Sequence, residues 1–93
     1  MRKLRVYGWV GSRREAGPQL QTREICAARS QVEVARIAGQ AGKPWRLWNL
    51  CETRNEEEVA VATASPGIIF WVPSVEQFRS NRRWRRGGIP NLP

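Results

Sequence analysis

The run Ile68-Ile69-Phe70-Trp71-Val72 sets apolar residues side by side with no polar alternate. A strand with one wet face alternates apolar and polar residues, whereas a strand covered on both faces has no reason to. This segment therefore predicts the inner strand of a sheet that carries packed structure on each side. The rest of the chain has to supply that covering.

Three positions carry the chemistry of a helix start. Ser30-Gln31-Val32-Glu33, Asn55-Glu56-Glu57-Glu58 and Ser74-Val75-Glu76-Gln77 each place a capping side chain three residues before a carboxylate or amide. That spacing satisfies free backbone N–H groups from both directions. The first predicts a helix from Ser30 to about Gln40, with Val34, Ala35, Ile37 and Ala38 on its apolar face and Gly39 or Gly42 ending it before Pro44. The second predicts a helix from Asn55, where three glutamates complement the helix dipole, to Ser65-Pro66-Gly67. The third predicts a C-terminal helix running from Ser74 to Arg86.

Strand-like runs at Leu4–Val10, Arg23–Arg29 and Trp45–Cys51 join Ile68–Val72, and Gly17 to Gln21 reads as a loop. The order β-β-α-β-α-β-α predicts a small layered fold, α/β or α+β, of about four strands and three helices. Its strand-helix-strand units favour parallel pairing with right-handed crossovers. A single domain is expected over residues 1–86, ending in the basic helix. Residues 87–93, with two glycines and two prolines, are expected to form a disordered tail.

Ninety-three residues suffice for one modest core, and no separate cofactor domain is expected. Sixteen Lys and Arg against eight acidic residues give a net charge of +8, which favours polyanionic partners. No segment approaches the roughly 20 apolar residues of a membrane span, and Met1 to Arg5 lacks a signal-peptide pattern. An intracellular, cytoplasmic setting is expected, with no membrane partner. Cys26 and Cys51 each lie in apolar stretches, as small buried thiols do. The absence of histidine argues against a structural zinc site and removes the commonest general base. No metal, cofactor or enzymatic role is expected. The enzyme alternative would need Glu15, Glu24 and Glu52 gathered near Arg13, Arg14 and Arg23.

In the expected C-terminal helix, Arg79, Arg82, Arg83 and Arg86 recur at i, i+3, i+4 and i+7, on the face that Val75 and Phe78 begin. Four guanidiniums cannot enter a core unpaired, so that helix should project from the sheet. Trp84, between Arg82-Arg83 and Arg85-Arg86, has three readings: stacking on an unpaired base, anchoring in a partner's pocket, or packing on its own domain. Near the N-terminus, Gly8-Trp9-Val10-Gly11-Ser12 leads into Arg13-Arg14-Glu15. It lacks the lysine and the following helix of a phosphate-binding loop. Arg13 and Arg14 then either bind phosphate or carboxylate groups, or form an ordinary basic turn paired to Glu15 or Glu24.

Val34-Ala35-Arg36-Ile37-Ala38-Gly39 has the pattern of the first helix and turn of a helix-turn-helix DNA binder. Pro44 and the strand-like Trp45-Arg46-Leu47-Trp48 occupy the place of its recognition helix. With Val6-Tyr7-Gly8-Trp9, Gly11 before Arg13-Arg14-Glu15, Gln21-Thr22-Arg23-Glu24, Ala27-Ala28-Arg29-Ser30, Glu33 to Gly39, and Pro66-Gly67 with Phe70-Trp71, the chain resembles a group of small uncharacterised accessory proteins encoded by phages of mycobacteria and related actinobacteria. The resemblance covers residues 4 to 72. It implies an origin and a setting inside an infected bacterial host, and transfers no residue role.

Ten of the sixteen basic residues fall in positions 1 to 14 and 79 to 86. The expected function is thus a non-enzymatic accessory protein that binds nucleic acid, DNA or RNA, through Arg13, Arg14, Arg79, Arg82, Arg83, Trp84, Arg85 and Arg86. The alternative is a modulator that docks on a host protein through Trp84 and the Arg13–Arg14 turn. Exposed tryptophans are also compatible with a homodimer.

Overall fold

The computed structural model describes residues 3–17 and 20–88. Five strands, β1 (Arg5–Ser12), β2 (Gln21–Ala28), β3 (Trp48–Glu52), β4 (Ile69–Pro73) and β5 (Arg85–Gly87), form one sheet in the order β3-β1-β2-β4-β5. Two helices, α1 (Gln31–Ile37) and α2 (Glu56–Ala64), complete the α+β fold. Both start where capping chemistry predicts. Ser30 Oγ accepts the Glu33 N–H at 3.1 Å, and Asn55 Oδ1 accepts the Glu58 N–H at 3.0 Å, each cap being worth about 1 kcal/mol.

The inner-strand expectation holds. Every residue of β4 is buried, because its two faces meet two different core clusters. Tyr7, Trp9, Cys26 and Ile69 pack with Val34 and Ala35 of α1 on one face. Val6, Ile25 and Phe70 pack with Ala62 of α2 on the other. Alanines on both faces of β2, Ala27 and Ala28, leave room for the helices to approach closely.

Parallel pairing does not occur; all four neighbouring pairs are antiparallel. The reason is the β1–β2 hairpin, which pairs Arg5 with Ala28 through to Ser12 with Gln21 and so occupies the β2 edge that β3 would need. The chain leaves β2, crosses through α1 and returns as β3 on the far side of β1. β2 and β3 therefore run in the same direction with β1 inserted between them.

The third helix is also absent. Ser74–Glu76 is a single 3-10 turn without a side-chain cap, and the chain turns back through Asn81, at φ 55, into β5. Arg82 Nη1 donates to the Gln77 carbonyl at 2.7 Å. The arginines expected along one helical face instead alternate across an edge strand: Arg85 lies over Trp71 on the α1 side, and Arg86 lies over Phe70 on the α2 side. Of the expected tail, Gly87 ends β5 and Gly88 follows it; residues 89–93 lie outside the described residues. The helix-turn-helix pattern also fails, since α1 is followed by a 3-10 turn (Pro44–Arg46) and then by β3. Among the described residues, no helix is long and apolar enough to cross a membrane.

Candidate nucleic-acid interface

Arg23 and Glu24 are neighbours in β2, so strand alternation sends them to opposite faces. Neither can pair with the other. On the α1 face, Arg13 donates to Glu24 from Nε at 2.8 Å and from Nη2 at 2.9 Å, while Thr22 Oγ1 donates to the same carboxylate at 2.6 Å. Nη2 also reaches the Gly88 carbonyl at 2.9 Å, tying the β1–β2 turn to the end of β5. The Arg13 guanidinium lies 5.8 Å and that of Arg85 5.1 Å from the Trp71 ring centre, so both arginine-bearing ends of the chain meet on one face.

On the α2 face, Arg23 donates to Glu58 from Nε at 3.0 Å and from Nη2 at 2.9 Å, and Thr53 Oγ1 adds a third donor at 2.7 Å. Arg82 joins this cluster through Glu57 at 2.8 Å and Glu58 at 3.3 Å, and Trp84 Nε1 donates to Glu57 at 2.7 Å. Burial opposes ionisation of Glu58, but the Arg23 and Thr53 donors and the charges of Arg23 and Arg82 outweigh it and hold the carboxyl below its usual range. Glu57 is likewise lowered: desolvation opposes its ionisation, and hydrogen bonds from Trp84 and Arg82 overcome it. Arg23 is raised by its hydrogen bonds to Glu58, against the opposing effect of burial. The three glutamates expected merely to favour the α2 dipole thus include the two main acceptors of this face.

Gly8 and Gly11 now have a physical role. Gly11 lies beneath the Glu24 carboxylate, where a Cβ would stand 2.7 Å from Oε2, and a Cβ at Gly8 would overlap the Arg23 guanidinium. The glycines bed two charged side chains on opposite faces of β1.

The expected binding residues therefore separate into two groups. Arg13 and Arg82 are held by internal carboxylates, which fits the turn reading of Arg13, and half-buried Trp84 packs against the α2-side core with its N–H on Glu57. Arg14, Arg79, Arg83 and Arg86 are exposed, and Arg85 is half-buried. The hydrolytic cluster is not assembled: Glu24 pairs with Arg13, Glu52 with Arg5, and Arg23 with Glu58 on the other face. Among the described residues, no three His, Cys, Asp or Glu side chains cluster as a metal site requires. Cys26 is buried as expected, but Cys51 is exposed because β3 is an edge strand.

Further cationic surface was hidden by reading residues 45–51 as one strand. Trp45 and Arg46 stand in the turn before β3, and Trp45 is 77 % and Trp48 61 % exposed. Pro44 preceded by Lys43 was the available sign of a turn there. An open concavity beside that turn is lined by Lys3, Arg5 and Arg29.

Fold and site together define a small basic α+β protein whose core ion pairs are internal and whose other arginines, among the described residues, are exposed except for half-buried Arg85. The chain matches no family model, no curated protein and no solved structure.

Proposed function

We propose that the protein binds nucleic acid, as a phage-type accessory protein, through its exposed arginines. The observation that carries this reading is the division of charge. Three arginines and three glutamates neutralise one another in the Arg13–Glu24 and Arg23–Glu58–Arg82–Glu57 clusters. The net charge of +8 therefore resides wholly on the other side chains. Arg83, Arg85 and Arg86 on and before β5, Arg14 in the turn tied to it through Arg13, and Lys3, Arg5 and Arg29 at the other end of the sheet offer dispersed contacts to a phosphate backbone. Trp84 and Arg13 both hold internal partners, so a host-protein contact built on them has only Arg14 to offer.

The test is a fluorescence-anisotropy titration with labelled duplex DNA, single-stranded DNA and RNA at several salt concentrations. Binding that weakens steeply with salt supports the reading, because each neutralised phosphate releases condensed counterions. Absence of binding to all three near physiological salt overturns it.

A further inference from the structure

We infer that a pocket on the α1 side of the sheet binds a single nucleotide whose base is unpaired. The pocket is an open cleft of about 550 Å³ between the adjoining ends of β1 and β2, the residues after α1 and the turn into β3. Small-molecule sites span roughly 300–1,000 Å³. Buried Trp9, Leu47 and Ala38 give it an apolar lining, and the more exposed Gln21, Gln40 and Arg46 a polar one.

Each feature of that lining suits a nucleotide. Trp48 also borders the pocket, and its exposed indole offers a stacking plane. Stacking of this kind is worth about fivefold to 150-fold in affinity per base. The two glutamine amides carry both donors and acceptors, as hydrogen bonding to base edges requires, and the Arg46 guanidinium matches a phosphate. Among the described residues Glu24 is the only carboxylate in the lining, and Arg13 neutralises it by bonding both oxygens. Arg46 therefore supplies the unpaired charge of the lining, which favours anionic ligands over basic ones. An extra residue in β3 opposite Trp9, with Asn49 at φ 57, bulges the strand directly after Trp48. Such bulges redirect side chains beside binding sites.

A free nucleotide and an unpaired base within a strand present the same chemistry; only the second rests on the nucleic-acid reading above. NMR of the indole N–H resonances, assigned with Trp→Phe variants, distinguishes them, using adenosine 5′-monophosphate and a short single-stranded oligodeoxyadenylate as probes. The expected result is that the Trp9 and Trp48 signals move while that of Trp84 does not. Trp48→Ala should lower affinity at least about fivefold, and Trp48→Phe should keep most of it. Because Trp48 is exposed, neither change disturbs the core.

Movement with the monophosphate supports a free-nucleotide site, and movement with the strand alone supports a base within a strand. Unmoved Trp9 and Trp48 signals with both probes, or wild-type affinity in Trp48→Ala, overturn the inference. A strand that binds in the anisotropy titration without moving those signals leaves the basic surface standing and removes the pocket. A monophosphate that moves them when no nucleic acid binds does the reverse.

Discussion

Arg13 and Glu24 form a two-pronged ion pair, at 2.8 and 2.9 Å, with only 5 % and 0 % of their side chains exposed. Two charges this deep stay favourable only while each is fully partnered. Here Thr22, the Gly88 carbonyl and the Trp71 ring supply the remaining contacts. The pair joins β2 to the β1–β2 turn and to the residue after β5. It holds the turn that follows β1 and the last described residue on the same face of β2.

Arg13→Met should therefore cost about 3–5 kcal/mol, because it strands the Glu24 charge in the core. Arg13→Met with Glu24→Gln removes both charges, and urea unfolding should find the double variant more stable than Arg13→Met alone. Equal or lower stability in the double variant would show that the pair's charge is not what the single change exposes.

Gly11→Ala should act on the same pair without touching either charge. Its methyl would stand 2.7 Å from Glu24 Oε2, forcing the carboxylate off Arg13 or the strands apart, at about 1–3 kcal/mol for overpacking. At Gly88 a Cβ meets nothing within 4 Å, so Gly88→Ala should stay within about 0.5 kcal/mol of the parent. Thermal unfolding of the two variants side by side makes the comparison.

Much of this architecture was legible locally. The caps at Ser30 and Asn55 and the apolar run at Ile68–Val72 are decided by residues within a few positions of each other; the caps appear where their chemistry demands, and all of the run but exposed Ile68 lies in buried β4. The C-terminal segment was not legible, because its conformation depends on partners far along the chain. Arg82 and Trp84 are drawn to Glu57 and Glu58, some 25 residues earlier, and that attraction replaces a helix with a returning edge strand. Strand pairing is non-local in the same way, since nothing near β3 tells it to join β1 rather than β2. The adjacency of Arg23 and Glu24 did carry a usable signal, because alternation required each to find a partner elsewhere.

Stability should fall on acidification through the glutamates of the α2 face. The carboxyls of Glu57 and Glu58 titrate lower in the folded chain than in the unfolded one. Their contribution is complete above the unfolded value, about 4.3, and is lost as pH falls from there through the folded values. Urea midpoints measured across this interval should drop with pH. Glu58→Gln should be less stable near neutrality and show a shallower acid decline.

The two thiols should react very differently. Burial, with the negative charge of Glu33 adding to it, pushes Cys26 up to about 11, so this thiol is both inaccessible and protonated near neutrality. Cys51 is exposed on the sheet edge. One equivalent of an alkylating agent should be taken up by native protein, at Cys51 by mass spectrometry, and a second only in denaturant. Alkylation of Cys26 in native protein would mean that α1 lifts from its face of the sheet.

Trp84 and the exposed arginines should separate stability from binding. Trp84→Phe removes the N–H that Glu57 accepts at 2.7 Å and weakens the ring on which Arg82 stacks at 4.7 Å. The expected loss is about 1–2 kcal/mol of stability, with nucleic-acid affinity unchanged well below the unfolding transition. Arg83→Ala with Arg86→Ala should behave oppositely. Both side chains are exposed and without carboxylate partners among the described residues, so stability should hold. Affinity should fall on all sequences alike, and the salt slope should decrease by about 0.7–0.9 for each phosphate contact removed. If Trp84→Phe weakened binding as much as the arginine pair at equal folded fraction, Trp84 would belong to the binding surface, and its bond to Glu57 would have to open when nucleic acid binds.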